Sequence, residues 1–192
     1  MKACSFVSLA QYLCFFVMAK EEPIQPKWES RASAELKGSK AQDVWPLVAD
    51  FCNIDKWFPN LHTCYQVEGV SGQPGLVRYC EMGRDETTLW AKEKLLMIDP
   101  TNQSITYEVG DNNLGLKSYV ATMQVVPINN NNGCKIVWSY SCNPIEGSSL
   151  EEFQSFVEYS LQGIANKMEL ALVSNTTTSM GDEPRPSCNS SN

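Results

Sequence analysis

Residues 148–172, SSLEEFQSFVEYSLQGIANKMELAL, decide the fold because they predict one long amphipathic helix near the end of the chain. Two overlapping capping boxes, Ser148 with Glu151 and Ser149 with Glu152, mark its start. A helix of some twenty residues extends about 30 Å, enough to lie across a whole small sheet. The apolar residues recur at three- and four-residue spacing, as on one helix face: Phe153, Phe156, Val157, Leu161, Ile164, Met168 and Leu172.

The segments before this helix predict the sheet on which it lies. Residues 27–37 alternate as a first strand, and two short helices follow, one opened by a capping box at Ser39 and Gln42 and one over residues 53–58. This order predicts an α+β helix-grip fold, in which a curved antiparallel sheet wraps the long C-terminal helix and leaves a central cavity. Six further strands separated by turn residues are expected over 63–68, 76–82, 88–98, 104–109, 116–127 and 134–143.

Composition excludes several classes of function. The chain has 192 residues and a net charge of −7, and no run of lysine and arginine marks a nucleic-acid surface. Its single histidine, His62, excludes a multi-histidine metal site, and its eight cysteines contain no CxxC spacing. Glycine-rich phosphate loops are absent as well. We therefore expect no metal and no nucleic-acid partner.

The two ends differ from the central domain, which we place at residues 26–173. Residues 1–19 have the shape of a short secretory signal that is too short for a stable membrane span, or else they are a mis-annotated extension before a true start at Met18. Residues 174–192 are rich in Ser, Thr, Asn and Pro and predict a disordered tail. Cys80, Cys134 and Cys142 fall on faces that are expected to be buried, which suits reduced thiols as well as disulfides. The expected location is cytoplasmic, with secretion as the alternative if residues 1–19 are a signal.

One carboxylate interrupts an apolar strand face. In the run Leu89 to Ile98, alternation places Glu93 on the same face as Ala91, Leu95 and Met97. A charged carboxylate on such a face costs several kcal/mol unless it is paired, hydrated or neutralised. Glu93 is therefore a candidate acid/base residue or ligand anchor, unless it lies near a strand end or faces water.

Other strands carry polar groups on the face that they share with apolar residues. Arg78 lies in phase with Leu76, Cys80 and Met82, and can neutralise Glu93 if both point inward. Phenol and indole groups on the inward face can hydrogen-bond a ligand, which makes a small-molecule pocket the predicted site. Taken singly, each tyrosine also fits an ordinary core residue, and Arg78 also fits a surface ion pair. The candidate substrate-binding residues are Tyr107, Tyr119, Trp138 and Tyr140.

Three motifs resemble a plant family. The stretches Gly75-Leu-Val-Arg-Tyr79, Trp90-Ala-Lys-Glu-Lys-Leu95 and Tyr119-Val-Ala-Thr-Met-Gln124 are similar to those of lachrymatory-factor synthase-like proteins. That family lies within the wider Bet v 1 and START-like superfamily, which includes polyketide cyclase-like proteins. The resemblance, which spans about residues 28–172, implies a helix-grip fold around a ligand cavity.

The resemblance also implies a chemistry. It is the cofactor-independent isomerisation of 1-propenesulfenic acid to propanethial S-oxide, with Arg78 and Glu93 as the catalytic pair and Tyr107 and Tyr119 lining the pocket. The expected partner is thus a small hydrophobic or sulfur-containing molecule.

Two alternatives to an isomerase remain open. Residues 83–87 and 111–115, expected around the cavity mouth, depart from the synthase pattern. A lipid or secondary-metabolite carrier without chemistry is one alternative. A hormone receptor of the abscisic-acid type is the other, but His62 stands where those receptors have a ligand-binding lysine.

Overall fold

A computed structural model of the chain describes residues 26–83 and 88–179. The possible signal at 1–19 and residues 84–87, most of the stretch 83–87 that is expected around the cavity mouth, lie outside this part. The elements are β1 (Trp28–Leu36), α1 (Ala41–Ala49), β2 (Leu61–Glu68), β3 (Val77–Met82), β4 (Leu89–Asp99), β5 (Ser104–Asn112), β6 (Val120–Ile128), β7 (Gly133–Cys142) and α2 (Leu150–Ser179). Short 3₁₀ segments cover Phe51–Lys56 and Asn129–Asn131.

Within the described residues, seven strands form one antiparallel sheet in the order β1-β7-β6-β5-β4-β3-β2. Helix α2 lies across it, nearest to β1, and helix α1 packs against β5, β6 and β7. The inner face of α2 is fully buried at Val157, Leu161, Ile164, Ala165 and Met168. The predicted helix-grip fold is confirmed, with a curved sheet around a long C-terminal helix.

Helix α2 begins where one of the two predicted capping boxes places it. The Glu152 amide donates to Ser149 Oγ at 3.1 Å, and the Ser149 amide donates to Glu152 Oε2 at 2.9 Å. These reciprocal bonds satisfy donors that a helix start otherwise leaves unpaired. The helix continues to Ser179, six residues past the predicted domain boundary, and the rest of the predicted tail lies outside the described residues.

The predicted capping box at Ser39 is wrong. Helix α1 starts at Ala41 with Lys40 as the N-cap residue and no side-chain cap. Ser39 is itself buried, and its Oγ has no hydrogen-bond partner within the described part of the chain. The helix therefore begins too late for the Ser39 hydroxyl to reach a free amide of its first turn.

The predicted face of β4 is correct at Glu93 but wrong at Met97. Between Leu95 and Met97 the pairing with β5 shifts by one residue, which is a β-bulge. Leu95 is fully buried, whereas Met97 is 45% exposed and Ile98 packs on the core instead. The extra residue reverses the alternation at the end of the strand, beyond the site.

Neither described helix is long and apolar enough to cross a lipid bilayer. The cysteines Cys52, Cys64, Cys80, Cys134 and Cys142 are free thiols.

Candidate functional site

The centre of the site is a buried ion pair between neighbouring strands. Arg78 on β3 and Glu93 on β4 lie directly opposite each other in the antiparallel register. Arg78 Nε donates to Glu93 Oε2 at 2.5 Å, and Arg78 Nη2 lies 2.5 Å from the same oxygen. The side chains are only 6% and 16% exposed. The predicted approach of the two residues is present in the structure.

Arg78 is also fixed from the opposite side by Phe51. Its Nη1 donates to the Phe51 carbonyl oxygen, and its guanidinium carbon lies 3.8 Å from the centre of the Phe51 ring. The Tyr107 ring is 5.4 Å from the same carbon. Burial lowers the pKa of Arg78, but the Glu93 carboxylate and the nearby Cys80, Cys64 and Tyr107 together raise it by more, so the net pKa lies above its ordinary value. The guanidinium thus stays charged in a site that excludes most water.

The two oxygens of Glu93 are used unequally. Oε2 accepts the hydrogen bond from Arg78 Nε and lies against Nη2, and the Cys80 Sγ lies 3.9 Å from it. Among the described residues, no hydrogen bond reaches Oε1. One oxygen therefore anchors the carboxylate while the other remains available to take or give a proton.

The ion pair lies in the wall of a cavity of about 530 Å³ between the sheet and α2. Volumes of this size are typical of small-molecule sites. Helix α2 supplies apolar lining through Phe153, Phe156, Val157 and Ile164. The polar side chains of the sheet that face the cavity are few, and they include Arg78 with Glu93. A mostly apolar ligand with one polar group fits this lining.

Tyr107 and Tyr119 line the same cavity, as predicted. Both are almost fully buried, and their ring centres are 6.3 Å apart. Burial is the main cause that raises the pKa of each phenol well above its ordinary value, and the Glu93 carboxylate raises both further. The two hydroxyls therefore remain neutral hydrogen-bond donors at physiological pH.

Trp138 also lines the cavity, and its buried indole nitrogen is a poorly satisfied donor. Nε1 makes no hydrogen bond of ordinary geometry to a described residue, but it interacts with the Tyr119 hydroxyl closely enough to lower the pKa of that phenol against the effect of burial. A buried donor without a well-formed hydrogen bond is costly. A ligand oxygen at this wall of the cavity would supply a better acceptor.

Tyr140 differs from the other predicted residues because it does not face the cavity. Its ring stacks on that of Tyr119 at 6.0 Å, and its hydroxyl donates to Gln154 Oε1 on α2 at 3.1 Å. The inward direction predicted for Tyr140 is correct, but its ring packs on Tyr119 and Phe153, which line the ligand space, and Tyr140 itself does not line it. Its role here is to hold Tyr119 in place.

Sequence reasoning missed the contribution of Phe51. Its carbonyl oxygen belongs to the backbone and leaves no trace in side-chain patterns. The ring is buried in the 3₁₀ segment after α1 and packs on Tyr107 at 5.8 Å. Cys80 shares the predicted inward face with Arg78, so strand alternation alone could have predicted its place in the cavity wall.

Comparison with known proteins agrees with this architecture. The family model described as "Polyketide cyclase / dehydrase and lipid transport" matches residues 27–170. The chain belongs to this family. The match covers every strand and the part of α2 that faces the sheet, so the family and the helix-grip fold agree.

Individual relatives are distant. The chain is 25% identical over 142 residues to MLP-like protein 34 of Arabidopsis thaliana, which covers 72% of this chain and 45% of that protein. The chain therefore spans less than half the length of that relative.

Solved structures share the fold. The Bacillus cereus protein XoxI superposes with a TM-score of 0.63 at 22% identity, covering 77% of this chain and 97% of that one. Major latex-like protein 151 of Panax ginseng gives a TM-score of 0.60 at 19% identity, with coverage of 76% and 97%. At these identities the likeness shows the fold alone, and the narrower match to lachrymatory-factor synthase stays a prediction.

Proposed function

We propose that this family member is a cofactor-independent isomerase that converts a small alkenyl sulfenic acid to a thial S-oxide, as the motif resemblance suggests. The observation that carries the proposal is the Arg78–Glu93 pair, buried in the wall of an apolar cavity with Glu93 Oε1 free of hydrogen bonds from described residues. We place the enzyme in the cytoplasm, and the free thiols of the described cysteines support that location.

In the proposed reaction Glu93 acts first as base and then as acid. Its carboxylate takes the proton from the sulfenic oxygen, and the electron pair of the O–H bond stays on that oxygen. A sulfur lone pair then forms the carbon–sulfur double bond, while the electrons of the carbon–carbon double bond take the proton back from Glu93 at the alkene carbon that is not bonded to sulfur. Atoms and charge balance without a cofactor, because one proton changes place and a carbon–sulfur double bond replaces the carbon–carbon double bond.

Arg78 would stabilise the charge that develops on the sulfenate oxygen. Its Nε and Nη1 each donate one hydrogen bond, to Glu93 and to the Phe51 carbonyl, and Nη2 lies against Glu93, so N–H groups of the guanidinium remain for a ligand oxygen. Charges interact more strongly where apolar walls exclude water. The phenol of Tyr119 offers a further neutral donor nearby.

The cavity volume favours a second candidate, a carrier of a larger apolar molecule. The cavity of about 530 Å³ corresponds to roughly eighteen water volumes at about 30 Å³ each. A three-carbon sulfenic acid has only five heavy atoms and would leave most of this space unfilled. A lipid or secondary metabolite would fill it, with a polar group at Arg78 and Trp138.

Product formation separates the two candidates. Wild-type protein, Glu93→Gln and the control Glu108→Gln are given sulfenic acid generated in the assay, and thial S-oxide is measured. The amide keeps the shape of Glu93 but carries no exchangeable acid proton, so we expect its rate to fall about 10²- to 10⁴-fold. Glu108 pairs with Lys94 at 3.9 Å on the exposed side of the next strand, so its variant should match wild type.

Binding is measured beside turnover with a neutral fluorescent probe, N-phenyl-1-naphthylamine. An isomerase whose Glu93→Gln variant loses turnover should still bind the probe. Equal rates for wild type and Glu93→Gln would overturn the proton-transfer mechanism. Absence of product from wild type, together with displacement of the probe by lipid-sized ligands, would establish the carrier.

A further inference from the structure

A pair of thiols lies next to the ion pair, in the sheet wall of the cavity. Cys64 on β2 and Cys80 on β3 are direct partners in the antiparallel register, and their sulfur atoms are 3.5 Å apart. Cys80 is 6% exposed and lines the cavity, and Cys64 is half-buried on the edge strand. The isomerase mechanism uses neither sulfur.

The backbone already has the spacing that a disulfide needs. Residues directly opposite in antiparallel strands have Cα atoms about 4.5 or 5.5 Å apart, and both values fall in the range of about 4.4–6.8 Å found across disulfides. Closure therefore requires the two sulfur atoms to approach by rotation of the side chains, without a change in strand pairing. β2 is the outer strand of the sheet, which leaves it room for a small adjustment.

The two thiols are also chemically unequal. The hydrogen bond from Cys80 lowers the pKa of Cys64, and the charge of Arg78 lowers it further against the effect of burial. The same hydrogen bond, followed by burial, raises the pKa of Cys80. Cys64 is thus the more nucleophilic and the more accessible sulfur, and Cys80 is placed to react second.

We propose that Cys64 and Cys80 form a redox-active dithiol that a small disulfide oxidises to an intramolecular cross-strand disulfide in the cavity wall. The Cys64 thiolate attacks glutathione disulfide, which breaks its S–S bond, releases one glutathione thiol and leaves a mixed disulfide on Cys64. Cys80 then loses its proton to the Glu93 carboxylate, 3.9 Å away, and attacks the Cys64 sulfur. The second glutathione leaves, so two electrons pass from the protein to the reagent.

The disulfide changes the site as well as the strand pair. Cys80 no longer has a thiol proton to share with Glu93 Oε2, and the sulfur moves away from the carboxylate toward β2. A covalent bond also joins the edge strand to the strand that carries Arg78. The oxidation state of the Cys64–Cys80 pair thereby affects the geometry of the Arg78–Glu93 ion pair, and Cys80 connects the two.

Peptide mapping of the full-length wild-type chain tests the proposal without any variant. The protein is incubated with glutathione disulfide, blocked with an alkylating reagent under denaturing conditions and digested with trypsin. Cleavage after Lys56, Arg78 and Arg84 separates residues 57–78, which contain Cys64, from residues 79–84, which contain Cys80. We expect these two peptides to become joined, and dithiothreitol to separate them again. Both peptides alkylated, or either one joined to residues 41–56 through Cys52, would overturn the proposal.

Variants test the order of the two steps. Cys80→Ser should stop at the mixed disulfide, with one glutathione retained on residues 57–78. Cys64→Ser should lose most of the reaction, because Cys80 is buried and the weaker nucleophile. Cys134→Ser, which removes a fully buried cysteine at the start of β7, should behave as wild type. Equal glutathione incorporation at residues 79–84 in Cys64→Ser and at residues 57–78 in Cys80→Ser would refute the assignment of Cys64 as the attacking thiol.

Discussion

The buried ion pair makes a quantitative prediction about stability. In Arg78→Met the carboxylate of Glu93 stays in the cavity wall without its counter-charge, and the Phe51 carbonyl loses its donor. In Glu93→Leu the guanidinium is left charged at 6% exposure. Removing one partner of a buried pair costs about 3–5 kcal/mol, so each single variant should lose that much free energy of unfolding.

The double variant should be more stable than either single variant. Replacing both charges by apolar side chains of similar volume is often close to neutral. The remaining cost is the unpaired Phe51 carbonyl, which amounts to about 1–3 kcal/mol. The two single losses therefore exceed the double loss by at least about 3 kcal/mol, which is the coupling energy of the pair.

Urea denaturation measures this coupling. With a slope of about 2 kcal/mol per molar urea, each single variant should unfold at a midpoint about 2 M below wild type. Lys94→Met and Glu108→Leu supply the matched control, because that ion pair also joins two neighbouring strands, β4 and β5, but its side chains are 51% and 42% exposed. Its coupling should stay below about 1 kcal/mol. Additive losses at Arg78 and Glu93 would refute the view that the two charges depend on each other.

Two further predictions concern helix α2. Gly163→Ala should lower the free energy of unfolding by about 1–3 kcal/mol, because a Cβ there would overlap Pro59 Cγ. The control Gly110→Ala should change it little, because its Cβ would lie no closer than 3.8 Å to any neighbour. Equal melting temperatures for the two variants would contradict this packing. Hydrogen bonds from the Ser149 backbone and the Ser148 hydroxyl lower the pKa of Glu152 below its ordinary value of 4.5. The ionised carboxylate therefore stabilises the fold above that pH, and its contribution is lost as the pH falls through the lowered pKa. Glu152→Gln should remove that part of the acid dependence in a series of thermal melts, and identical pH profiles would argue against it.

Strand alternation predicted most of the site because β3 pairs with β4, and β5 with β6, without a register shift. Arg78, Glu93, Tyr107 and Tyr119 were placed on one inward face by counting alone, and the structure brings all four to one cavity. The prediction failed at Met97, where pairing with β5 inserts a bulge that no local pattern in β4 reveals. A bulge depends on the partner strand as much as on its own sequence.

Tertiary contacts between separate elements could not be predicted from the sequence pattern. Tyr140 lies on the inward face as alternation predicts, but it packs on Tyr119 and on Phe153 of α2 and does not line the cavity. The anchoring of Arg78 by the Phe51 carbonyl depends on how the 3₁₀ segment folds back over β3. Both features link segments far apart in the chain, and periodicity carries no information about such contacts.

The energetic cost of the ion pair bears on the choice between isomerase and carrier. A carrier of apolar molecules would be served as well by two leucines in the cavity wall, and such a protein would often be as stable or more so. A buried charged pair is useful when a proton has to be transferred or a developing oxyanion has to be stabilised. If the apolar double variant folds, binds the neutral probe and forms no thial S-oxide, then the pair serves chemistry and not retention of a ligand. If instead wild type and the double variant carry the same ligand equally well and neither yields product, the apolar cavity alone accounts for the function.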